Sequence, residues 1–123
     1  MIKNKNIDNK IINEIKNRIQ RSVSPDKIIL FGSHAQNDAL ENSDVDLLVV
    51  TDDDQYPQNY KDKMDIYLKV AKKINDFQKK IPIDLIVYTR PMFEEFLNVN
   101  SQFAKEIMQK GVVLYEKNKS GMA

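Results

Sequence analysis

Cysteine is absent from this chain of 123 residues, and histidine occurs only once, as His34. The chain therefore has no disulfide, thiol nucleophile, cysteine–zinc site or metal site built from several histidines. No apolar run approaches the roughly 20 residues of a membrane span, and the opening MIKNKNIDNK lacks the apolar stretch of a signal peptide. We therefore expect a cytoplasmic protein without membrane contact.

An excess of either charge is also missing. The chain has 19 Lys and Arg residues against 18 Asp and Glu residues, a formal net charge of +1. Because bulk positive charge is typical of nucleic-acid binding, we expect no direct nucleic-acid contact. The distribution is uneven, since the interval between Lys27 and Lys61 has no Lys or Arg but contains the acids Asp38, Glu41, Asp44, Asp46, Asp52, Asp53 and Asp54. An acidic block of this kind attracts metal cations.

The length is that of a single domain, which we place at residues 1–116, followed by a polar C-terminal tail at 117–123. The predicted elements run in the order helix, strand, short helix, strand, long helix, strand and further helices. This alternation indicates an α/β (α+β) fold in which a small mixed β-sheet is flanked by helices.

Apolar periodicity predicts two longer helices. Isoleucines recur every four residues from Ile7 to Ile19, which indicates an amphipathic helix that ends before Ser24 and Pro25. A second helix follows the exposed loop DDDQYPQNY and ends before Pro82. Its apolar face is predicted to hold Met64, Tyr67, Leu68, Ala71, Ile74 and Phe77.

Capping residues predict the shorter elements. The polar residues 34–42 favour one or two helical turns, and Thr89 and Ser101 are predicted to begin two further helices. Gly111 is the predicted C-cap of the second of these, before an edge strand at 112–115.

Three short apolar runs predict buried strands, at 28–31, 45–50 and 83–88. The second and third strands each contain one acid near the start, Asp46 and Asp84. An acid at such a position in a core strand calls for a functional explanation.

The connections predict the strand directions. Ten residues separate Ser33 from Asp44, enough for the second strand to return antiparallel to the first. The long helix is the usual crossover between parallel neighbours, so the second and third strands should be parallel. Asp44 and Asp46 would then share one face, with Asp84 beside them. Because three such carboxylates repel each other, we expect a pair of divalent cations, which also catalyses nucleotidyl transfer.

The first strand ends in Gly32 and Ser33, which complement the predicted metal site. Glycine permits a tight turn, and Ser33 with neighbouring amides can hold phosphate oxygens at a helix N-terminus. Each motif alone has a plainer explanation, because Asp44 could cap a turn, Asp46 could pair with a lysine, and Asp84 could face water. Their order and spacing together predict a site for a triphosphate and metal.

The segment FGSHAQNDALENSDVDLLVV resembles the signature of the minimal nucleotidyltransferases of the polymerase beta superfamily. PIDLIVYT resembles their third-carboxylate strand, and FAKEIMQKGVVLYE is similar to their usual end. The resemblance implies a polymerase-beta-like core that transfers AMP from ATP to a hydroxyl, with two Mg²⁺ ions and release of pyrophosphate. By position, it implies that Gly32 and Ser33 bind ATP, that Asp44 and Asp46 hold both metals, and that Asp84 joins the metal site and activates the hydroxyl.

The chain departs from this pattern after the Gly-Ser pair. Many relatives have arginine there, whereas this sequence has His34, Gln36 and Asn37. Without a guanidinium group, we expect a weaker grip on phosphate.

The resemblance also implies a partner. Stand-alone members of this kind resemble antitoxins paired with a helical HEPN-domain toxin, so we expect a hetero-oligomer in which a tyrosine of the toxin accepts AMP. Tyr56 and Tyr60 in the acidic loop are candidates for the contact. Two alternatives remain open: a non-catalytic antitoxin that masks its partner, and a small-molecule nucleotidyltransferase such as an antibiotic-modifying subunit.

Overall fold

The computed structural model describes the backbone of residues 2–36, 39 and 43–117 and side chains from Lys10 onwards. The first half of the fold consists of two helices and two strands in alternation. These are α1 (Ile2–Val23), β1 (Lys27–Phe31), α2 (Gly32–Ala35) and β2 (Val45–Val50). The helix and the two strands predicted in this half are confirmed. Residues 34–42 contain only the end of α2 within the described part of the chain.

The second half begins with a helical segment and ends at an edge strand. Its elements are α3 (Tyr60–Ala71), a 3₁₀ turn (Lys72–Ile74), α4 (Asn75–Gln78), β3 (Ile83–Tyr88), α5 (Arg90–Val99), α6 (Gln102–Lys110) and β4 (Val112–Glu116). Thr89 and Ser101 precede α5 and α6 as predicted, and Ser101 Oγ accepts from the Ala104 N–H at 3.1 Å. The Gly111 N–H closes α6 on the Ile107 carbonyl at 2.8 Å.

Four strands form one sheet in the order β3-β2-β1-β4. β1 pairs antiparallel with both β2 and β4, whereas β2 and β3 are parallel. The segment from α3 to α4 is the crossover that the parallel pair requires. The predicted mixed sheet and its strand directions are therefore confirmed.

One face of the sheet packs on α1 and α3. The isoleucine stripe of α1 supplies Ile15 and Ile19, which are buried in this layer as their spacing predicted, and Ile12 beside them is buried as well. Every second residue of β1, β2 and β3 also contributes to this layer, because successive side chains of a strand point to opposite faces. These residues are Ile28, Leu30, Val45, Leu47, Val49, Leu85 and Val87.

The prediction of one continuous long helix after the acidic loop is wrong. The helix breaks at the 3₁₀ turn, where Ile74 has φ −118° and ψ 20°. Arg18 Nη1 of α1 donates to the Lys73 carbonyl at 3.0 Å and to Asp76 Oδ1 at 2.9 Å. Since a distant side chain takes up this carbonyl, the long-range contact favours the break.

The predicted apolar face of this segment is correct only in part. Ala71 and Ile74 are buried, but the other buried positions are Ile66 and Val70, which the prediction omitted. The remaining predicted members are only half-buried: Met64, Tyr67, Leu68 and Phe77. The helix packs against both α1 and β3, and its buried stripe is therefore centred on Ile66 and Val70. Its orientation about its own axis thus differs from the one that the predicted apolar face implied.

The other face of the sheet is covered by α5 and α6. Ile29, Phe31, Leu48 and Val50 pack there with Phe93 and Ile107 of the two helices. Aromatic rings extend this layer, since Phe103 of α6 makes edge contacts with Phe31 and Phe96 at centroid distances of 5.6 and 5.9 Å. By alternation along β2 and β3, Asp46 and Asp84 belong to this face.

The acids that follow β2 are neutralised by cations from distant segments. Lys69 pairs with Asp53 at 2.9 Å, Arg90 with Asp52 at 2.8 Å and with Asp54 at 3.0 Å, and Lys117 with Asp52 at 2.5 Å. This part of the acidic block therefore anchors a loop. Asp38 and Glu41 lie outside the described residues.

Among the helices that the structure describes, none combines the length and the apolar character that crossing a membrane requires.

Ile19→Ala should lower the free energy of unfolding by about 2–5 kcal/mol, because the side chain is fully buried in the α1 layer. Urea unfolding measures the change. Val99→Ala is the control, since Val99 is 68% exposed and should change stability by less than about 0.5 kcal/mol. Equal losses in the two variants would contradict this assignment of the core.

Candidate active site

Asp46 and Asp84 are neighbours across the parallel pair of strands. They are register partners of β2 and β3, and Val45 between Asp44 and Asp46 is buried in the layer of α1. Asp44 lies just before β2 and is exposed, Asp84 is exposed, and Asp46 is half-buried. The parallel pairing thus brings acids from separate segments to one end of the sheet.

Gly32 packs directly against Asp46. Phe31 at the end of β1 is the register partner of Asp46, so the next residue turns beside that carboxylate. Gly32 has φ +77°, and a Cβ atom there would lie 2.0 Å from Asp46 Oδ2. The turn therefore requires glycine for two reasons, its left-handed backbone and the close approach of the carboxylate.

A cavity of about 280 Å³ lies under α6 at this end of the sheet. Its lining consists of Phe31, Gly32, Gln36, Asp46, Asp84, Phe103, Glu106, Ile107, Lys110 and Gly111. Of the five residues predicted for the site, Gly32, Asp46 and Asp84 line this cavity. Ser33 on α2 and Asp44 do not belong to the lining.

Three polar or aromatic residues of the cavity were not predicted from the sequence: Phe103, Glu106 and Lys110. Their spacing of three and four residues indicates one face of α6. That signal alone does not reveal what the face covers, because it depends on how α6 packs on β1 and β2.

A larger cavity, about 530 Å³, lies elsewhere, between α5, the loop after β2 and the start of α3. Tyr56 lines it beside Tyr88, at the end of β3 remote from Asp84. Tyr56 is exposed, as expected, and its hydroxyl donates to Glu95. The larger cavity contains none of the predicted site residues, so we assign the chemistry to the smaller one.

Burial and like charges both act on Asp46. Burial, followed by the charges of Asp84 and Asp44, raises the pKa of its carboxyl to about 6, while His34 opposes the shift. An ionised carboxylate is therefore unfavourable at this position unless positive charge comes close.

The donor chemistry fits a divalent cation. Magnesium prefers carboxylate oxygens, and an added cation would offset the repulsion that acts on Asp46. In the described ranges, no three His, Asp or Glu side chains are already grouped to hold a metal ion. The site thus has suitable ligands but not the geometry of a preformed metal centre.

His34 joins the turn to the start of β2. It is half-buried, and its Nε2 lies 3.2 Å from the Ser43 carbonyl oxygen, a contact in which the tautomer protonated at Nε2 donates. The residue that directly follows the Gly-Ser pair is therefore engaged with the backbone next to Asp44.

Carboxylates grouped on neighbouring strands are suited to hold the divalent cations that catalyse in-line phosphoryl or nucleotidyl transfer. The chain belongs to the polymerase beta nucleotidyltransferase family, which it matches over residues 13–120. The prediction of a nucleotidyltransferase from the segment Phe31 to Val50 is confirmed at this level.

Two kinds of relative agree with this membership. A "putative protein adenylyltransferase" of Methanocaldococcus jannaschii is 31% identical over 104 residues, which cover 85% of this chain and 90% of that protein. The crystal structure of a "putative nucleotidyltransferase" from Sulfolobus solfataricus has a TM-score of 0.63 at 22% identity, covering 96% of this chain and 88% of the other.

A crystal structure of a toxin-antitoxin with AMP-PNP is also similar. Its TM-score is 0.53 at 19% identity, with 89% of this chain and 77% of the other covered. At these identities, the two solved structures establish the shared fold.

Asp46→Asn should stabilise the protein at neutral pH. The folded-state pKa of about 6 lies above the ordinary value of 3.8, so the folded protein holds this proton more tightly than the unfolded chain. Ionisation therefore lowers stability as the pH rises through the interval between these values, and the cost is fully present above the folded-state pKa. At about pH 7.5 we expect a gain of about 1 kcal/mol, discounted for solvent screening of a half-buried carboxylate.

Urea unfolding at about pH 7.5 and about pH 4 checks this expectation, because the difference between Asp46→Asn and the natural protein should nearly vanish at the lower pH. Glu94→Gln removes an exposed acid of α5 and serves as the control. A gain that does not change with pH would exclude relief of ionisation as its cause.

Proposed function

We propose that this chain is a protein adenylyltransferase, which transfers AMP from ATP to a hydroxyl of a protein acceptor. The observation that carries the proposal is the cavity in which Gly32 faces Asp46 and Asp84. The relative from Methanocaldococcus jannaschii, named a "putative protein adenylyltransferase", supports the class of acceptor.

The proposed reaction is a single displacement at the α-phosphorus of ATP. The hydroxyl oxygen of the acceptor forms a bond to that phosphorus, the bond to the bridging oxygen of the β-phosphate breaks, and pyrophosphate leaves. Asp84, exposed at the cavity, accepts the hydroxyl proton as a general base. The acceptor must be held within about 3–3.5 Å of the phosphorus for this attack.

The predicted residues also bind the substrate and the metal ions, and Asp84 has this role in addition to that of general base. We assign Gly32 and Ser33 to the phosphates of ATP, and Asp44, Asp46 and Asp84 to two Mg²⁺ ions. When bound, these ions neutralise phosphate charge and polarise the reacting phosphorus. The contact between Gly32 and Asp46 keeps the phosphate-binding turn adjacent to the metal ligands.

We further assign the acceptor to a toxin partner in a hetero-oligomer. The fold shared with a solved toxin-antitoxin supports an antitoxin role, and the AMP-PNP in that structure is consistent with ATP as the co-substrate. A helical HEPN-domain toxin with an acceptor tyrosine is the specific partner we propose. A tyrosine on a mobile segment of the partner is long enough to enter the cavity and carries the hydroxyl that accepts AMP.

Magnesium should raise the melting temperature of the natural protein by several degrees, because a cation that binds only the folded state stabilises it by mass action. The Asp44→Asn, Asp46→Asn double variant should lose this increment. Thermal melts with and without Mg²⁺ measure it, and Glu94→Gln is the matched control for loss of acidic charge.

The increment must be compared within each variant, since Asp46→Asn alone alters the melting temperature without metal. An equal Mg²⁺ increment in the double variant would place the cation elsewhere and contradict the assigned ligands.

Transfer itself should label the partner with AMP. After co-expression with the proposed HEPN-domain partner, mass spectrometry should find adenylylated tyrosine with the natural sequence and none with Asp84→Asn. The variant should still bind ATP, because a general base acts only when the hydroxyl loses its proton. In vitro, label from [α-³²P]ATP but not from [γ-³²P]ATP should appear on the partner.

The other results separate the alternatives. A partner that is neutralised but unmodified in both cases would indicate a non-catalytic antitoxin. Absence of any association would favour a small-molecule acceptor. Loss of ATP binding in Asp84→Asn would contradict its role as a general base.

A further inference from the structure

The proposed phosphate-binding turn has no positive charge of its own. No Lys or Arg lies within residues 28–60, so neither the turn at Gly32 nor the strand with Asp46 supplies a cation. The same cavity is bordered by three acids, Asp46, Asp84 and Glu106. A nucleoside triphosphate adds further negative charge, so its binding there is favoured by a cation from the protein as well as by bound metal.

Lys110 is the one Lys or Arg among the described residues that line this cavity. It is the last residue of α6, and the following Gly111 packs closely on β1, where a Cβ atom would lie 3.3 Å from the Leu30 carbonyl oxygen. Since Gly32 directly follows β1, this packing brings the end of α6 to the turn. Lys110 therefore borders the cavity on the side where we place the phosphates.

Glu106 forms an ion pair with Lys110, and a bound ligand can break this pair. The Lys110 Nζ lies 3.6 Å from Glu106 Oε2, one helical turn away, and the two side chains are 53% and 49% exposed. An ion pair this long and this exposed contributes little stability. A triphosphate presents more negative charge than one carboxylate, so it can draw the ammonium group away from Glu106.

We infer that Lys110 binds the phosphate chain of the nucleotide substrate, and that Glu106 holds the Lys110 ammonium group until the nucleotide arrives. The inference rests on the proposed nucleotide site and adds a binding residue from α6. The required cation thus comes from the far end of the sequence, although the acids that require it lie in β2 and β3.

Nucleotide affinity of the full chain tests the inference, with ATP and AMP as probes in the presence of Mg²⁺ and isothermal titration calorimetry as the measurement. Lys110→Met should weaken ATP binding by about tenfold, the effect of losing one charge-assisted contact, and AMP binding by much less. Lys110→Arg should stay within about threefold of the natural protein, because it keeps the charge. Lys105→Met is the matched control, since Lys105 is on α6 but outside the cavity lining.

Glu106→Gln gives an expectation of opposite sign. Removal of the competing carboxylate should leave Lys110 available and tighten ATP binding. A purely structural ion pair predicts that neither Lys110→Met nor Glu106→Gln changes the affinity for ATP, so this pair of variants distinguishes binding from helix stabilisation.

Two failures remain distinguishable. If the natural protein does not bind ATP, the proposed function fails, and this inference with it. If the natural protein binds ATP but Lys110→Met binds it equally well, or loses ATP and AMP to the same extent, the inference alone is overturned.

Discussion

The partial burial of the Asp46 carboxylate beside Asp84 is the constraint on which the rest of the site depends. The two residues are register partners on parallel strands, and Asp46 is half-buried beneath α6. Burial and neighbouring charge raise the Asp46 pKa to about 6, so the fold carries a cost at neutral pH. Well-packed layers on both faces of the sheet offset that cost. A cation or a phosphate-bound metal ion would relieve it, which links stability to ligand binding.

Acids at the two ends of the parallel pair have different surroundings. Beyond the ends of β2 and β3, Asp52 and its neighbours pair with Lys69, Arg90 and Lys117, and they anchor the loop that follows β2. The cavity lies at the starts of the same strands. Among the described residues that line it, Lys110 is the single Lys or Arg, and it pairs with Glu106. Aspartate thus has a structural role beyond the end of β2 and, as we propose, a functional role at the starts of β2 and β3. The difference arises because cations of the protein neutralise the acids at the first of these places and not at the second.

Much of the fold follows from local patterns. The isoleucine spacing of α1, the three apolar strands and the caps at Ser101 and Gly111 predicted elements that the structure contains. The continuous helix after Tyr60 was a wrong prediction, because Arg18 of α1 bonds the Lys73 carbonyl at the break. A contact between segments this far apart leaves no trace in the helical periodicity.

The sequence by itself determined the strands, their acids and the turn at Gly32. Side-chain alternation and the length of a connection are local properties, so the approach of Asp46 to Asp84 was predictable from them. Only the tertiary structure decided that Ser33 and Asp44 lie outside the cavity lining and that α6 closes it with Lys110. These features depend on how helices pack across a sheet, and that packing is set by the sum of many distant contacts rather than by any short pattern.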